Sequence, residues 1–124
     1  MPADPARILI VDDSEETTLL LRLLLERRGH QVRVAHDVEG ALRVAQEFAP
    51  HVALLDIMIR CESGFFLARE ISNVPGLSSC HLIAMSGFEL EPHRKVSQAV
   101  GFRCQLSKPI DADRLFEAVE MRED

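Results

Sequence analysis

The chain has 124 residues, 47% hydrophobic and 27% charged, with a net charge of −6. That length suits one domain with one core and excludes two, and the apolar share excludes a disordered chain. The acidic balance, with no stripe of Lys and Arg, argues against nucleic acid as a direct ligand.

Two kinds of segment alternate along the chain. "RILIVD" (7–12) is a short apolar, β-branched run, as expected of a strand covered on both faces. Ser14 is placed to cap a helix, with Glu15 and Glu16 at its positive end. That helix carries leucines at 19, 20, 21, 23, 24 and 25 and ends near Gly29. Its apolar stretch is broken by Arg22 and is too short and too charged to span a bilayer. "QVRVAH" (31–36) alternates and reads as a more exposed strand. Asp37 caps a second helix with Val38, Ala41, Ala45 and Phe48 on one face and Pro50 after its end.

"HVALLD" (51–56) reads as another buried strand, followed by a loop over 57–63 and a helix from near Gly64 with Leu67, Ala68 and Ile71 inward. "NVPGLSS" is a turn segment, and "HLIAMS" (81–86) is the next buried strand. Pro92 suits the first turn of a helix bearing Val96, Ala99 and Val100 and closed by Gly101. "FRCQLS" (102–107) is the last strand, and Asp111 caps a final helix with Leu115, Phe116 and Val119 inward. The result is an α/β fold of (βα)5 type, a doubly wound five-stranded parallel sheet with helices on both faces. Residues 1–124 form one domain, with 1–6 as an N-terminal tail.

Cys61, Cys80 and Cys104 are odd in number and lack framework spacing, as expected of reduced thiols in a cytosolic protein. His30, His36, His51, His81 and His93 form no HxxxH pair and there is no CxxC, so zinc is not expected. The opening "MPADPAR" has no secretory-type apolar region, which makes the cytoplasm the expected location, without membrane insertion.

In such a sheet, ligands bind outside the carboxyl ends of the strands. Asp12 and Asp13 close the first strand, Asp56 the third, Ser86 the fourth, and Lys108 follows the fifth. Each alone has a bland use, as a helix cap, a turn or a paired core carboxylate. Together they bring five polar groups to one edge, which packing alone would not select. Unit charges about 4 Å apart interact by roughly 4 kcal/mol at an effective dielectric near 20. Three clustered carboxylates therefore call for a proton or a cation, and Lys108 supplies one positive charge against three negative. Hard oxygen ligands that leave room for water and phosphate oxygens favour Mg2+. A carboxylate beside a divalent metal, an ammonium and a hydroxyl is arranged to attack a phosphoryl group, with Asp56 as nucleophile and Asp12 and Asp13 at the metal.

The pattern resembles the receiver domain of two-component response regulators over nearly the whole chain. The matching elements are "DD" at 12–13, "LLD" at 54–56, Gly64 eight residues after Asp56, "MSG" at 85–87 and "KP" at 108–109. The intervals of 30 residues from Asp56 to Ser86 and 22 from Ser86 to Lys108 also agree. The resemblance implies a flavodoxin-like sheet of strand order 2-1-3-4-5. It implies a phosphoprotein of signal transduction that takes a phosphoryl group onto Asp56 from a sensor histidine kinase or a histidine phosphotransfer protein, as in a phosphorelay.

Under the same resemblance, Asp12, Asp13, Asp56 and the backbone carbonyl of Met58 would bind Mg2+. Ser86 would hydrogen-bond the phosphoryl group, Lys108 would pair with one of its oxygens, and Pro109 would follow a cis bond. A downstream effector would dock on the face formed by the fourth predicted helix, fifth strand and fifth helix. The domain would act on itself only and would not be a turnover enzyme. The tail "GFRCQLSKPID" looks most like receivers attached to hybrid sensor kinases.

The sequence departs from the family pattern at several positions. Arg60 stands where Pro is common, Gln105 where an aromatic or His is usual, and Ser86 where Thr is commoner. Gln105 puts the usual hydroxyl-to-aromatic coupling in doubt and motivates a second reading, a scaffold that takes no phosphate. Phe88, two residues beyond Ser86, is placed either to shield the phosphoryl group or to pack on its loop. A third reading, an Asp-nucleophile phosphatase of haloacid-dehalogenase type, requires DxD after the first strand, whereas "VDDSEE" lacks the second Asp at that spacing.

Overall fold

A computed structural model describes residues 5–59, 62–87 and 99–120, with backbone only at 58, 59, 62 and 63. The elements are β1 (Arg7–Val11), α1 (Glu15–Arg27), β2 (Gln31–Ala35), α2 (Val38–Phe48), β3 (Val52–Asp56), β4 (Met58–Ile59), β5 (Glu62–Ser63), α3 (Gly64–Ser72), β6 (His81–Ser86), β7 (Phe102–Ser107) and α4 (Ala112–Glu120). The expected fourth helix, over Pro92 and Val96, lies outside the described residues apart from Ala99 and Val100.

The main sheet has five strands in the order β2-β1-β3-β6-β7, every pair parallel. With the short β4–β5 pair set aside, this is the expected order 2-1-3-4-5. Strand side chains alternate between faces, so Leu9, Val11, Ala53 and Leu55 pack with Ala41, Ala45, Leu67 and Ile71 of α2 and α3. Ile8, Ile10, Val52 and Leu54 pack on the other face with Leu21 and Leu25 of α1 and Leu115 and Val119 of α4. Full burial of one such Leu or Ile contributes about 1.5–3 kcal/mol. Two-sided burial explains why β1, β3 and β6 read as unbroken apolar runs, while β2 at the edge alternates.

Caps fix the helix starts as the sequence predicts. Ser14 Oγ accepts from the Thr17 backbone N–H at 3.2 Å, and Asp37 Oδ1 from that of Gly40 at 2.7 Å. In α1 only Leu21, Leu25 and Thr18 are buried, and Leu19, Leu20 and Leu23 are each more than half exposed. Phe48 and Phe116 are only partly covered, each with an arginine over its ring, Arg33 at 5.0 Å and Arg28 at 4.5 Å.

Two features were not legible in the sequence. Within 57–63, expected to be a loop, β4 and β5 form an antiparallel pair, Met58 opposite Ser63 and Ile59 opposite Glu62. At the far pole, the fully buried ring of His30 accepts from the Ala6 N–H through Nδ1 at 3.1 Å, and its Nε2 lies 3.0 Å from Glu120. Arg28 also pairs with the Glu120 carboxylate, through two of its nitrogens. The end of α4 is thereby tied to the turn after α1 and to the start of β1.

Candidate functional site

The ladder brings the carboxyl ends of β1, β3, β6 and β7 to one rim. The Asp12 N–H donates to the Ala35 carbonyl at 3.2 Å, continuing the β1–β2 ladder one residue past β1. The Ile57 N–H donates to the Met85 carbonyl at 3.0 Å and holds the end of β3 against β6. The Lys108 N–H donates to the Ser86 carbonyl at 2.8 Å, fixing where the chain leaves β7. Side chains carried by these residues have little freedom in where they start.

Asp12 is 0% exposed and Ser86 1%, and Asp56 is also buried. Each oxygen of the Asp12 carboxylate has a donor: Oδ1 accepts from the Ser14 N–H at 2.9 Å, and Oδ2 from Lys108 Nζ at 2.6 Å. The same ammonium donates to Asp56 Oδ2 at 3.0 Å. One cation therefore bridges two buried carboxylates on different strands. Burial lowers the Lys108 pKa, but its hydrogen bonds and charge interactions with Asp12 and Asp56 outweigh this, and the net shift is upward. The Lys108–Pro109 peptide bond is cis, as the family resemblance implied.

Asp13, exposed at the mouth, completes the acidic group. Asp12, Asp13 and Asp56 each offer a carboxylate oxygen, all within 4.8 Å of one another. Three hard oxygens this close, with one ammonium beside them among the described residues, fit a divalent oxygen-seeking cation such as Mg2+. Met58, whose carbonyl the family resemblance assigns to the metal, lies in β4 directly after Ile57, its backbone paired with Ser63. The structure thus brings together Asp12, Asp13, Asp56 and Lys108, with Ser86 at the end of the neighbouring strand. Gln105 lies opposite Ala84 in the β6–β7 register, on the sheet's edge strand. Arg60 and Phe88 lie outside the described residues.

Sequence reasoning missed one participant in the site and one contact that ties α1 to the end of β2. The Ser14 backbone N–H fixes the Asp12 carboxylate, and its signal was the short D-x-S spacing. Thr18 Oγ1 sits 3.3 Å from His36 Nε2, linking the first turns of α1 to the residue that follows β2, and no sequence pattern pointed to it.

Comparison with known proteins agrees with this geometry. The sequence profile of the response regulator receiver domain matches residues 8–120. Protein PilH of Pseudomonas aeruginosa is 32% identical over 114 residues, covering 92% of this chain and 94% of PilH. The polar-differentiation response regulator DivK of Brucella anthropi is 28% identical over 117 residues, covering 94% of each. Among solved structures, the Vibrio cholerae chemotaxis protein CheY4 superposes with a TM-score of 0.89 at 22% identity, covering 94% of this chain and 98% of that one. NtrX of Brucella abortus gives 0.86 at 28% identity over 94% of this chain and 26% of its own. An acidic rim bridged by one lysine, on a sheet of this order, matched by profile from β1 to the end of α4, places the chain in the family of response regulator receiver domains of two-component signalling.

Proposed function

We propose that the chain is a phosphoacceptor switch in which Asp56 takes a phosphoryl group from the phosphohistidine of a sensor kinase or phosphotransfer protein. The observation that carries this is the shared ammonium: Lys108 touches the carboxylate that would react and the one that would hold a metal. An Asp56 carboxylate oxygen attacks phosphorus, the P–N bond to imidazole breaks, an acyl phosphate forms, and the departing imidazole takes up a proton. Lys108 is placed to follow negative charge from the Asp56 carboxylate onto an equatorial phosphoryl oxygen. Ser86, at the end of the adjoining strand, supplies a hydroxyl to a second oxygen.

Asp12, Asp13, Asp56 and the Met58 carbonyl are the groups that would hold Mg2+, which when bound supplies positive charge to the same oxygens. Asp12 is the rigid member, being fixed by Ser14 and Lys108.

Phosphorylation adds charge and acceptor oxygens at the rim. It biases a two-state equilibrium read by an effector on the surface that includes β7 and α4, and the expected loop after Ser86 lies outside the described residues beyond Gly87. In this reading residues 1–124 work as one cytoplasmic receiver unit that modifies itself and does not turn over an external substrate. The test is incubation with acetyl phosphate and Mg2+ followed by intact mass. The expected result is one added phosphoryl group, absent from Asp56→Asn. No added mass would favour the scaffold reading, for which Gln105 at the switch position is the motivation. Sustained hydrolysis of small phosphate esters would favour the phosphatase.

A further inference from the structure

Only seven residues separate Asp56, the last of β3, from Gly64, the first of α3, and Met58, whose carbonyl would hold Mg2+ in the proposed reading, is among them. The segment closes where the Gly64 N–H donates to the Ile57 carbonyl at 2.6 Å. Gly64, the first residue of α3, lies against the backbone of the phosphoacceptor itself. A Cβ added there would come within 2.1 Å of the Asp56 carbonyl oxygen and 2.9 Å of the Ile57 Cα. The need for glycine is one of space and not of an unusual backbone angle.

Neither side can yield without cost. Asp56 and Ile57 are held on the sheet, since Asp56 pairs with Met85 in the β3–β6 ladder and the Ile57 N–H bonds the Met85 carbonyl. The other side is the start of α3, anchored by buried Leu67, Ala68 and Ile71. What remains is to open the Gly64–Ile57 hydrogen bond and shift the β4–β5 pair, which carries Met58.

The geometry points to Gly64 as a positioning residue: its close backbone approach to Asp56 and Ile57 fixes where the chain leaves β3 for β4 and sets where the Met58 carbonyl and the Asp56 side chain stand relative to Asp12 and Asp13. This deepens the proposed phosphoacceptor reading and rests on it only for the phosphorylation readout. The metal readout rests on the Mg2+ site of that reading and not on phosphoryl transfer.

The experiment compares wild type, Gly64→Ala and a core control, Leu115→Ala. Leu115 is fully buried in α4 on the opposite face of the sheet. Mg2+ affinity is measured by calorimetry, and the acetyl phosphate labelling rate at a fixed Mg2+ concentration. Gly64→Ala is expected to weaken Mg2+ binding about tenfold or more, the size seen when groups that orient ligands are lost, and to slow labelling in parallel. Leu115→Ala is expected to lose stability and keep wild-type Mg2+ affinity. Wild-type Mg2+ affinity in folded Gly64→Ala would overturn the inference, as would an equal loss in Leu115→Ala.

If Gly64→Ala does not fold, amide exchange on the wild-type chain decides. The Gly64 N–H is expected to be strongly protected and to gain protection with Mg2+, and fast exchange unaffected by Mg2+ would overturn the inference. A wild type that binds Mg2+ but takes no phosphoryl group would sink the functional reading and leave the Mg2+ comparison to judge Gly64.

Discussion

Replacing Lys108 by Met keeps an apolar stem of similar length and removes only the bridging charge. At an effective dielectric near 20, contacts of 2.6 and 3.0 Å correspond to gross attractions of about 6.4 and about 5.5 kcal/mol. Desolvation of the ammonium and repulsion between the two acids offset most of this. Breaking a fully buried pair costs about 3–5 kcal/mol, because an unpaired buried charge is left behind. Lys108 retains 26% side-chain exposure, which lowers the expected loss to about 2–4 kcal/mol. For a chain of this length that is a fall in Tm of about 10 °C.

The assay is urea unfolding of wild type and Lys108→Met in EDTA and in Mg2+. In EDTA the variant unfolds earlier. In Mg2+ the gap narrows, because the metal and the ammonium neutralise the same oxygens and the variant has more to gain. Equal midpoints in EDTA, or the same Mg2+ stabilisation in both proteins, would refute the idea that Lys108 is the resident counter-charge of the acidic rim.

Two further outcomes follow from the same rim, and a third from the Glu120 network at the far pole. Mg2+ at ten times its Kd stabilises the native chain by about 1.4 kcal/mol, seen as a rise of a few degrees in the melting curve; an unchanged curve at millimolar Mg2+ counts against the site. Asp13→Asn removes the exposed acid, so it costs no stability in EDTA yet weakens Mg2+ binding about tenfold, read by calorimetry. The Arg28 hydrogen bond, against a smaller opposing effect of burial and with help from His30, lowers the Glu120 pKa from 4.5 to about 2. A depressed carboxylate pKa stabilises the fold above the unfolded value, and that stability is lost as pH falls from about 4.5 towards 2. The shift bounds the effect at about 3 kcal/mol, and screening near the surface reduces it to about 1. Glu120→Gln should therefore melt several degrees lower at pH 7 and match wild type near pH 2.

Much of the fold was readable because its signals are local. Continuous apolar runs marked β1, β3 and β6, and Ser14 and Asp37 announced their helices through caps that the structure contains. The candidate site was readable because a parallel sheet sends the carboxyl ends of its strands to one rim, so Asp12, Asp56 and Lys108 had to meet whatever the details between them. What was hidden depends on contacts distant in sequence or on backbone proximity. The Glu120 network joins residues 90 or more apart and has no periodic signature. The β4–β5 pair, of two residues per strand, is too short for alternation to show. Gly64 was visible as a motif position, but its close approach to the Asp56 carbonyl arises only once the chain folds. In α1 the leucine-rich composition overstated burial, because its leucines lie on both sides of the helix and only Leu21 and Leu25 are fully enclosed.

Formation of an acyl phosphate on Asp56 is the most direct test of the proposed function. Treating the acetyl phosphate–labelled chain with borohydride reduces such a group to homoserine, and peptide mapping then locates it. Homoserine is expected at position 56 only, and only when Mg2+ was present during labelling. Unmodified Asp56 in a chain that carries phosphoryl mass elsewhere, or labelling that is indifferent to Mg2+, would contradict the proposed function.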